Sequence, residues 1–288
     1  MQIGIIGKGF VGTAVEYGFK TSFNKEVDIK VFDKDKTKCT HTLFEVVNNS
    51  EYVFISVPTP SFEDGSIDLS ILEEVLNSIS KISENKNTIF LVRSTIVPGS
   101  TSFFQKKFPN IRLVFNPEFL TERNANNDFV NQERFIFGGN KNDTERVEKL
   151  FIWRFGKDIP IIKTNFETAE LIKYMNNTFL ATKVSFLNEM KILANACGVD
   201  WNIAIEGFSL DSRVGNSHLQ VPGIDGKKGF GGSCFPKDIQ AITNFADSIE
   251  IDLKVLKAAW KTNLKVRPEK DWEKLVGRAV TSKKKGLL

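Results

Sequence analysis

Hydrophobic and polar positions follow two regimes along this chain, and the change of regime divides it. Through residue 164, short apolar runs rich in Val, Ile and Phe alternate with amphipathic stretches. Residues 2–6, 28–32, 52–57, 88–92, 112–115 and 134–137 read as strands bounded by Pro, Gly or Asn, with 159–162 as a last strand at the domain edge. Residues 11–21, 68–83 and 143–155 carry helical spacing between them. Repeated strand–helix units predict an α/β fold, a doubly wound parallel sheet with helices on both faces.

After Thr164 the pattern becomes helical. Residues 166–196 contain neither Pro nor Gly, which predicts one helix about 45 Å long, the spine of a second, all-helical domain. Shorter helices are expected at 200–208, 239–245 and 251–264, the last closed by Arg267-Pro268, with a glycine-rich loop from 207 to 232. The expected domains are therefore 1–164, 165–270 and a C-terminal tail, 271–288.

Composition adds mainly exclusions. An apolar fraction of 41% and a charged fraction of 26% are ordinary for a soluble globular protein. The net charge of +4 owes much to Lys283-Lys284-Lys285, read as a solvated basic end, so no nucleic-acid partner is expected. Three scattered cysteines argue against a disulfide framework and for a reducing compartment. No clustered Cys, His and carboxylate pattern suggests a metal, and with only two histidines a histidine-centred triad is not expected. Glycines break the apolar start of the chain, so neither a signal peptide nor a membrane span is expected, and the location expected is cytoplasmic.

Two motifs carry chemistry. Gly7-Lys8-Gly9-Phe10-Val11-Gly12 lies between a predicted strand and a predicted helix. Its first glycine permits a tight turn, the second a close approach to a pyrophosphate, the third helix–strand packing. Asp33, at the end of the next strand, is placed to take a ribose 2′-hydroxyl and to repel a 2′-phosphate, which favours NAD over NADP. This makes the first domain Rossmann-like. Thr59 and Thr95 close further strand ends, where such sheets place their ligands.

The second motif runs from Gly229 to Asp238 and sets Cys234 at the mouth of a glycine-rich loop, just before a helix that Pro236 suits. A thiol at a helix N-terminus sits in a field favouring the thiolate, the form that attacks carbonyls. Lys237 adds charge and Asp238 a carboxylate. Elsewhere, Glu118 and Glu122 would share a face if the segment after Pro117 is helical, as a proton acceptor and its helper. Glu170, Lys173 and Asn177 fall on one stripe of the long helix, with Asn188 near the same line. The stripe is either a solvated face or, through Lys173 and Asn177, a pair of donors for a developing oxyanion.

In order, the glycine fingerprint, Val57-Pro58-Thr59-Pro60, Ser94-Thr95-Ile96-Val97-Pro98, Asn116 to Leu120, Glu170 to Asn177 and Gly229 to Asp238 resemble the UDP-glucose and GDP-mannose dehydrogenases, most closely the UDP-glucose 6-dehydrogenases. The resemblance runs from Met1 to about Ala279. It implies oxidation of a nucleotide-sugar alcohol to a carboxylate with two NAD per product, through a thiohemiacetal and a thioester on Cys234. It further implies that Lys173 and Asn177 hold the anionic oxygen, that Asp238 and Thr95 position water, and that Glu122 assists acid–base transfer. Glu118 would orient, and Phe119, Leu120, Phe230 and Gly231 would line the sugar pocket. Lys237 would join Gly7, Gly9, Phe10, Val11, Gly12, Asp33, Thr59 and Thr95 at the cofactor. Arg213 would reach the substrate of a neighbouring subunit and His218 its phosphates, in a homodimer formed through the helical domain. Family members continue for roughly another domain, to which the resemblance assigns uridine contacts and some cofactor contacts; the chain is read either as a short form, its tail packed on the helical domain, or as a fragment. Alternatives are a two-electron dehydrogenase of 3-hydroxyacid type and a non-catalytic nucleotide-sugar binding module.

Overall fold

The computed structural model describes residues 1–20 and 26–283. Thr21, read as the end of the first helix, and Lys284 and Lys285 of the basic end lie outside the described residues. The described chain forms two compact units, Met1–Thr59 with Leu69–Lys173, and Pro60–Asp68 with the residues from Tyr174 onward. Where the sequence pattern changes regime at residue 164, the contact division falls nine residues later, inside a helix.

The first unit is built on seven strands, β1 (Gln2–Ile6), β2 (Asp28–Phe32), β3 (Tyr52–Ile55), β4 (Ile89–Val92), β5 (Arg112–Phe115), β6 (Phe135–Gly139) and β7 (Ile161–Thr164). Their order is β2-β1-β3-β4-β5-β6-β7. Helices α1 (Phe10–Lys20), α2 (Leu43–Asn48), α3 (Ser70–Ile82), α4 (Ser100–Lys107), α5 (Ala125–Val130) and α6 (Lys141–Phe155) connect them. Strands β1 to β5 pair in parallel, as the alternating pattern predicts, but β6 pairs antiparallel to β5 and β7 follows β6. The sheet is thus mostly rather than wholly parallel. Only the short α5 and a 3-10 turn lie between β5 and β6, less than a full crossover helix, so the chain returns in the opposite direction.

β3 and β4 are buried along their whole length, which explains their unbroken apolar sequences. One face of the sheet packs Phe19, Phe54, Phe129, Phe137 and Phe151 against α1, α5 and α6; the other packs Leu72, Leu76, Phe90, Phe104 and Phe115. The phenylalanines interlock edge-on and tilted, as between Phe19 and Phe151 at 6.1 Å.

α7 (Phe166–Ala196) has the limits its sequence predicts. α8 (Trp201–Ser209), α9 (Phe235–Ser248) and α10 (Lys254–Val266) complete the second unit. Asp200 caps α8, accepting from the Asn202 and Ile203 amides. α9 starts four residues before the expected limit because Cys234 is its N-cap and Pro236 stands in the first turn. Phe230, Ala181, Ile239 and Ala259 form this unit's small core. Among the described residues no helix is long and apolar enough to cross a membrane.

Candidate active site

In the first unit, the end of β1 meets the start of α1 in a turn only glycines can make. Gly7 has φ +90°, and a Cβ there would come within 2.6 Å of the Ser56 carbonyl oxygen. A Cβ on Gly12 would lie 2.0 Å from the Gly7 carbonyl oxygen, whereas one on Gly9 would meet nothing within 4 Å. The three glycines thus do what their spacing requires: a turn, an open approach, and a close helix contact. No acidic residue occupies the first turn of α1, so its positive end and the open space over Gly9 suit a pyrophosphate. Asp33, just past β2, accepts a hydrogen bond from the Lys8 amide at 2.5 Å and is thereby fixed beside the turn. Phe10 and Val11 open α1 beside it.

The switch point of the sheet lies between β1 and β3. Beyond β3, the buried Thr59 donates its hydroxyl to the Thr95 carbonyl at 2.7 Å, and Ser94 donates to the Val57 carbonyl at 2.6 Å. These bonds fasten the chain after β4 to the chain after β3 and hold Thr95 in place.

The segment after Pro117 is not helical. It runs without regular structure to a 3-10 turn at Glu122–Asn124, so Glu118 and Glu122 do not share a helical face. Glu118 is buried, and its Oε2 accepts from the Leu120 amide at 2.8 Å, a local turn that competes with helix. Lys173 of α7 donates to the Glu118 backbone carbonyl at 2.5 Å and to its Oε1 at 3.0 Å. The Phe119 ring lies under the same ammonium at 5.4 Å, and Leu120 is buried in the core. Glu122 itself is exposed.

One turn before Lys173, the wholly buried Glu170 accepts from the Gly99 amide at 2.6 Å, the Thr101 amide at 2.8 Å and the Thr101 hydroxyl at 2.6 Å. It caps α4 from another element. Burial pushes its carboxyl up to about 7, against the hydrogen bonds from Thr101 and Gly99 that favour the charged form. The folded pKa exceeds the unfolded one, so this group's stabilisation is full below about pH 4.5 and is lost as pH rises through about 7. Urea unfolding from pH 5 to pH 8 is expected to show stability falling relative to Glu170→Gln by up to about 3 kcal/mol. Parallel curves for the two proteins would contradict this.

In the second unit, Asn177, one turn beyond Lys173 on α7, donates to Asp238 Oδ2 at 2.6 Å, and Lys237 donates to Asp238 Oδ1 at 2.5 Å. All three are buried, so both carboxylate oxygens of Asp238 are engaged. Asp238 lies one turn into α9, and its amide bonds the Cys234 carbonyl at 2.8 Å. Cys234 is partly buried, with Ser233 Oγ 3.7 Å from its sulfur. The Lys173–Asn177 stripe is therefore not a solvated face: Glu170, Lys173, Asn177 and Asn188 are all buried. Apolar side chains are exposed on α7 instead, at Leu171, Met175, Phe179, Phe186 and Leu193.

The loop before α9 is pinned to α7 by Lys183, which donates to the carbonyls of Val214, Gly215 and Ser217. Arg213, largely exposed, forks onto Asp211 of the same loop. His218 has φ 61° and packs, tilted, against Phe235 at 5.4 Å; desolvation and the Lys183 ammonium hold its imidazole below the usual range. Phe230 is buried and Gly231 packs on Arg267. Sequence reading gave no site role to Arg93, Lys183, Asn263 or Arg267, polar letters with partners on distant segments.

Comparison with known proteins places these features. Residues 30–153 match the NAD binding domain of the UDP-glucose/GDP-mannose dehydrogenase family, and residues 167–265 its central domain. UDP-glucose 6-dehydrogenase AglM of Haloferax volcanii is 30% identical over 305 residues, covering 91% of this chain and 69% of that protein. The chain belongs to the UDP-glucose/GDP-mannose dehydrogenase family. UDP-glucose 6-dehydrogenase of Rickettsia prowazekii is 36% identical over 241 residues, 82% of this chain but 54% of that protein. The family member thus spans about half the length of such curated relatives. A UDP-glucose dehydrogenase structure from Pyrobaculum islandicum superposes with TM-score 0.78 at 25% identity, covering 92% of this chain and 68% of that one. Asp33 lies within the residues matched to the family's NAD binding domain, and the Gly7–Gly12 turn precedes them.

Proposed function

We propose that this protein oxidises UDP-glucose, or a closely related nucleotide sugar, to the uronate through a thioester on Cys234. The observation that carries the reading is Cys234 as the N-cap of α9, one turn from a buried Asp238 whose carboxylate is held by Asn177 and Lys237. An alcohol-to-aldehyde oxidation needs a base but no thiol. Aldehyde to acid needs a nucleophile, because hydride departs readily only from a tetrahedral adduct. Bound NAD supplies the hydride acceptor at each of the two oxidations.

The residues divide the work by their chemistry. Cys234 sulfur adds to the aldehyde carbon, and the carbonyl oxygen becomes an oxyanion. Lys173 and Asn177, one turn apart on α7, are the donors suited to that oxygen. Loss of hydride from the adduct leaves a thioester. Water adds to it, the C–S bond breaks, and the thiol recovers its proton. Asp238 and Thr95 orient that water, with Glu122 as the acid–base helper; Lys237 and Thr59 serve the cofactor side. Glu118 orients Lys173. Phe119, Leu120, Phe230 and Gly231 shape the sugar site, Arg213 reaches the substrate of the neighbouring subunit, and His218 faces the nucleotide phosphates. Two NADH per sugar consumed is the expected result of a coupled spectrophotometric and chromatographic assay; a ratio of one would refute a four-electron reaction.

The protein also acts as a homodimer through its helical part. The exposed apolar row on α7, continued by Ile203 and Leu210 at the ends of α8, supports this. Such side chains gain about 1.5–3 kcal/mol each on full burial. Light scattering is expected to give twice the chain mass, falling to the monomer value in Phe179→Asp; a monomeric wild type would remove the dimer and the role of Arg213 with it.

A further inference from the structure

We infer that Asn263 and Arg267 are positioning residues that set the Cys234 loop, so that the second oxidation, rather than the first, depends on them. This rests on the thioester reading of Cys234. Neither residue touches the sulfur; both act on the four residues that lead to it.

Asn263, wholly buried on α10, treats Phe230 as a neighbouring strand would. Its Oδ1 accepts from the Phe230 amide at 2.7 Å and its Nδ2 donates to the Phe230 carbonyl at 3.0 Å. The residue before, Gly229, donates its amide to Asn188 Oδ1 at 3.1 Å. Gly229 has φ +67°, and a Cβ there would stand 2.4 Å from Asn263 Oδ1. Arg267, one turn after Asn263 and buried, lays its guanidinium where a Gly231 Cβ would be, 2.4 Å from Nη2 and 2.6 Å from Cζ. The Gly229-x-Gly231 spacing thus answers the Asn263-x-x-x-Arg267 spacing. One glycine clears the amide and the other the guanidinium.

The guanidinium is itself fixed. Nε and Nη2 donate to the two carboxylate oxygens of Asp271 at 2.7 and 2.8 Å, Nη2 also donates to Asp225 at 2.7 Å, and Nη1 reaches the Lys228 carbonyl at 3.3 Å. An aromatic row runs beside this polar one. Phe235 packs on Phe230 at 6.1 Å, Phe230 on Trp260 at 6.1 Å, and Trp260 on the buried Trp272 at 5.2 Å. Phe230 is therefore gripped by backbone and ring together, four residues before the nucleophile. Arg267, Asp271 and Trp272 lie beyond the residues matched to the family's central domain, which end at 265. The tail segment joins the nucleophile's support.

Covalent attack tolerates little displacement, since about 1 Å can cost on the order of 10²-fold in rate. The first hydride leaves from a carbon that needs no thiol. With the loop displaced, aldehyde forms but is captured slowly, and it escapes.

The test is product partition with UDP-glucose and NAD, with hydroxylamine present to trap free aldehyde. Wild type is expected to give two NADH per sugar and little oxime. Asn263→Asp keeps the acceptor for the Phe230 amide but sets an oxygen against its carbonyl, and Arg267→Lys keeps charge but loses the fork. Both are expected to move the ratio toward one, with oxime appearing and kcat for acid falling roughly 10²-fold, while KM for NAD stays unchanged. A purely structural role would lower the amount of active protein and leave the partition alone. If Asn263→Asp fails to fold, Arg267→Lys decides. A wild-type ratio other than two defeats the thioester reading and the inference with it. A wild-type ratio of two, kept by the variants, overturns the inference alone.

Discussion

Cys234→Ala is expected to lose acid formation by on the order of 10⁶-fold, the scale on which an enzyme loses its covalent nucleophile, while stability changes little. The site explains the separation. Cys234 is a partly buried N-cap with no side-chain capping bond, so α9 does not depend on its sulfur. Asp238 keeps its bonds to Asn177 and Lys237 whether or not the thiol is present. Cys234→Ser is the sharper variant. Its hydroxyl can add to the aldehyde, and the hemiacetal carbon can give its hydride to NAD, but the oxygen ester formed is cleaved more slowly than a thioester. Intact-mass spectrometry after incubation with UDP-glucose and NAD is expected to show a protein heavier by one nucleotide sugar less four hydrogens, two for each oxidation. An unmodified Cys234→Ser protein together with a Cys234→Ala enzyme within tenfold of wild type would favour the two-electron, 3-hydroxyacid-type chemistry instead.

Sequence resolved those features whose meaning is local. The fingerprint glycines need only their own backbone, and Gly7, Gly9 and Gly12 meet the three demands their spacing makes. The limits of α7 follow from an uninterrupted helical run. Which face of α7 is buried was not legible, because periodicity sorts residues into faces without saying where each face points. Glu170 and Lys173 are inside while Met175 and Phe179 are exposed. The Glu118–Glu122 pairing failed because Glu118 bonds the Leu120 amide and Lys173, partners that spacing on an assumed helix cannot reveal. Asn263 was invisible for a related reason, its partner Phe230 being 33 residues away. By contrast α2 could have been found, since Thr42 and Glu45 form a capping box readable as T-x-x-E.

Lys173 carries the other large expected effect, and it falls on stability and catalysis separately. Its side chain is 3% exposed and that of Glu118 7%, so the pair has little water to fall back on. Arg93, wholly buried at the end of β4, also lies in the field of Glu118; burial lowers its guanidinium to about 10, and Glu118 acts against that. Arg93 donates to Asn116 Oδ1 and packs over Phe129 at 5.4 Å, but its Nε and Nη2 have no partner among the described residues. One carboxylate thus offsets two buried cations. Lys173→Ala is expected to cost about 3–5 kcal/mol, the scale of a buried charge left without its partner. Glu118→Leu is expected to cost at least as much, because it removes the one carboxylate that faces both Lys173 and Arg93. The double variant Lys173→Met, Glu118→Leu restores charge balance at the pair itself and is expected to be more stable than Glu118→Leu alone. Turnover is not expected to return with it, since the oxyanion has lost a donor worth about 10²–10³-fold. Urea unfolding and kcat measured on the same four proteins separate the two effects. Activity that recovers in step with stability would leave Lys173 as a structural partner of Glu118 and remove it from the chemistry.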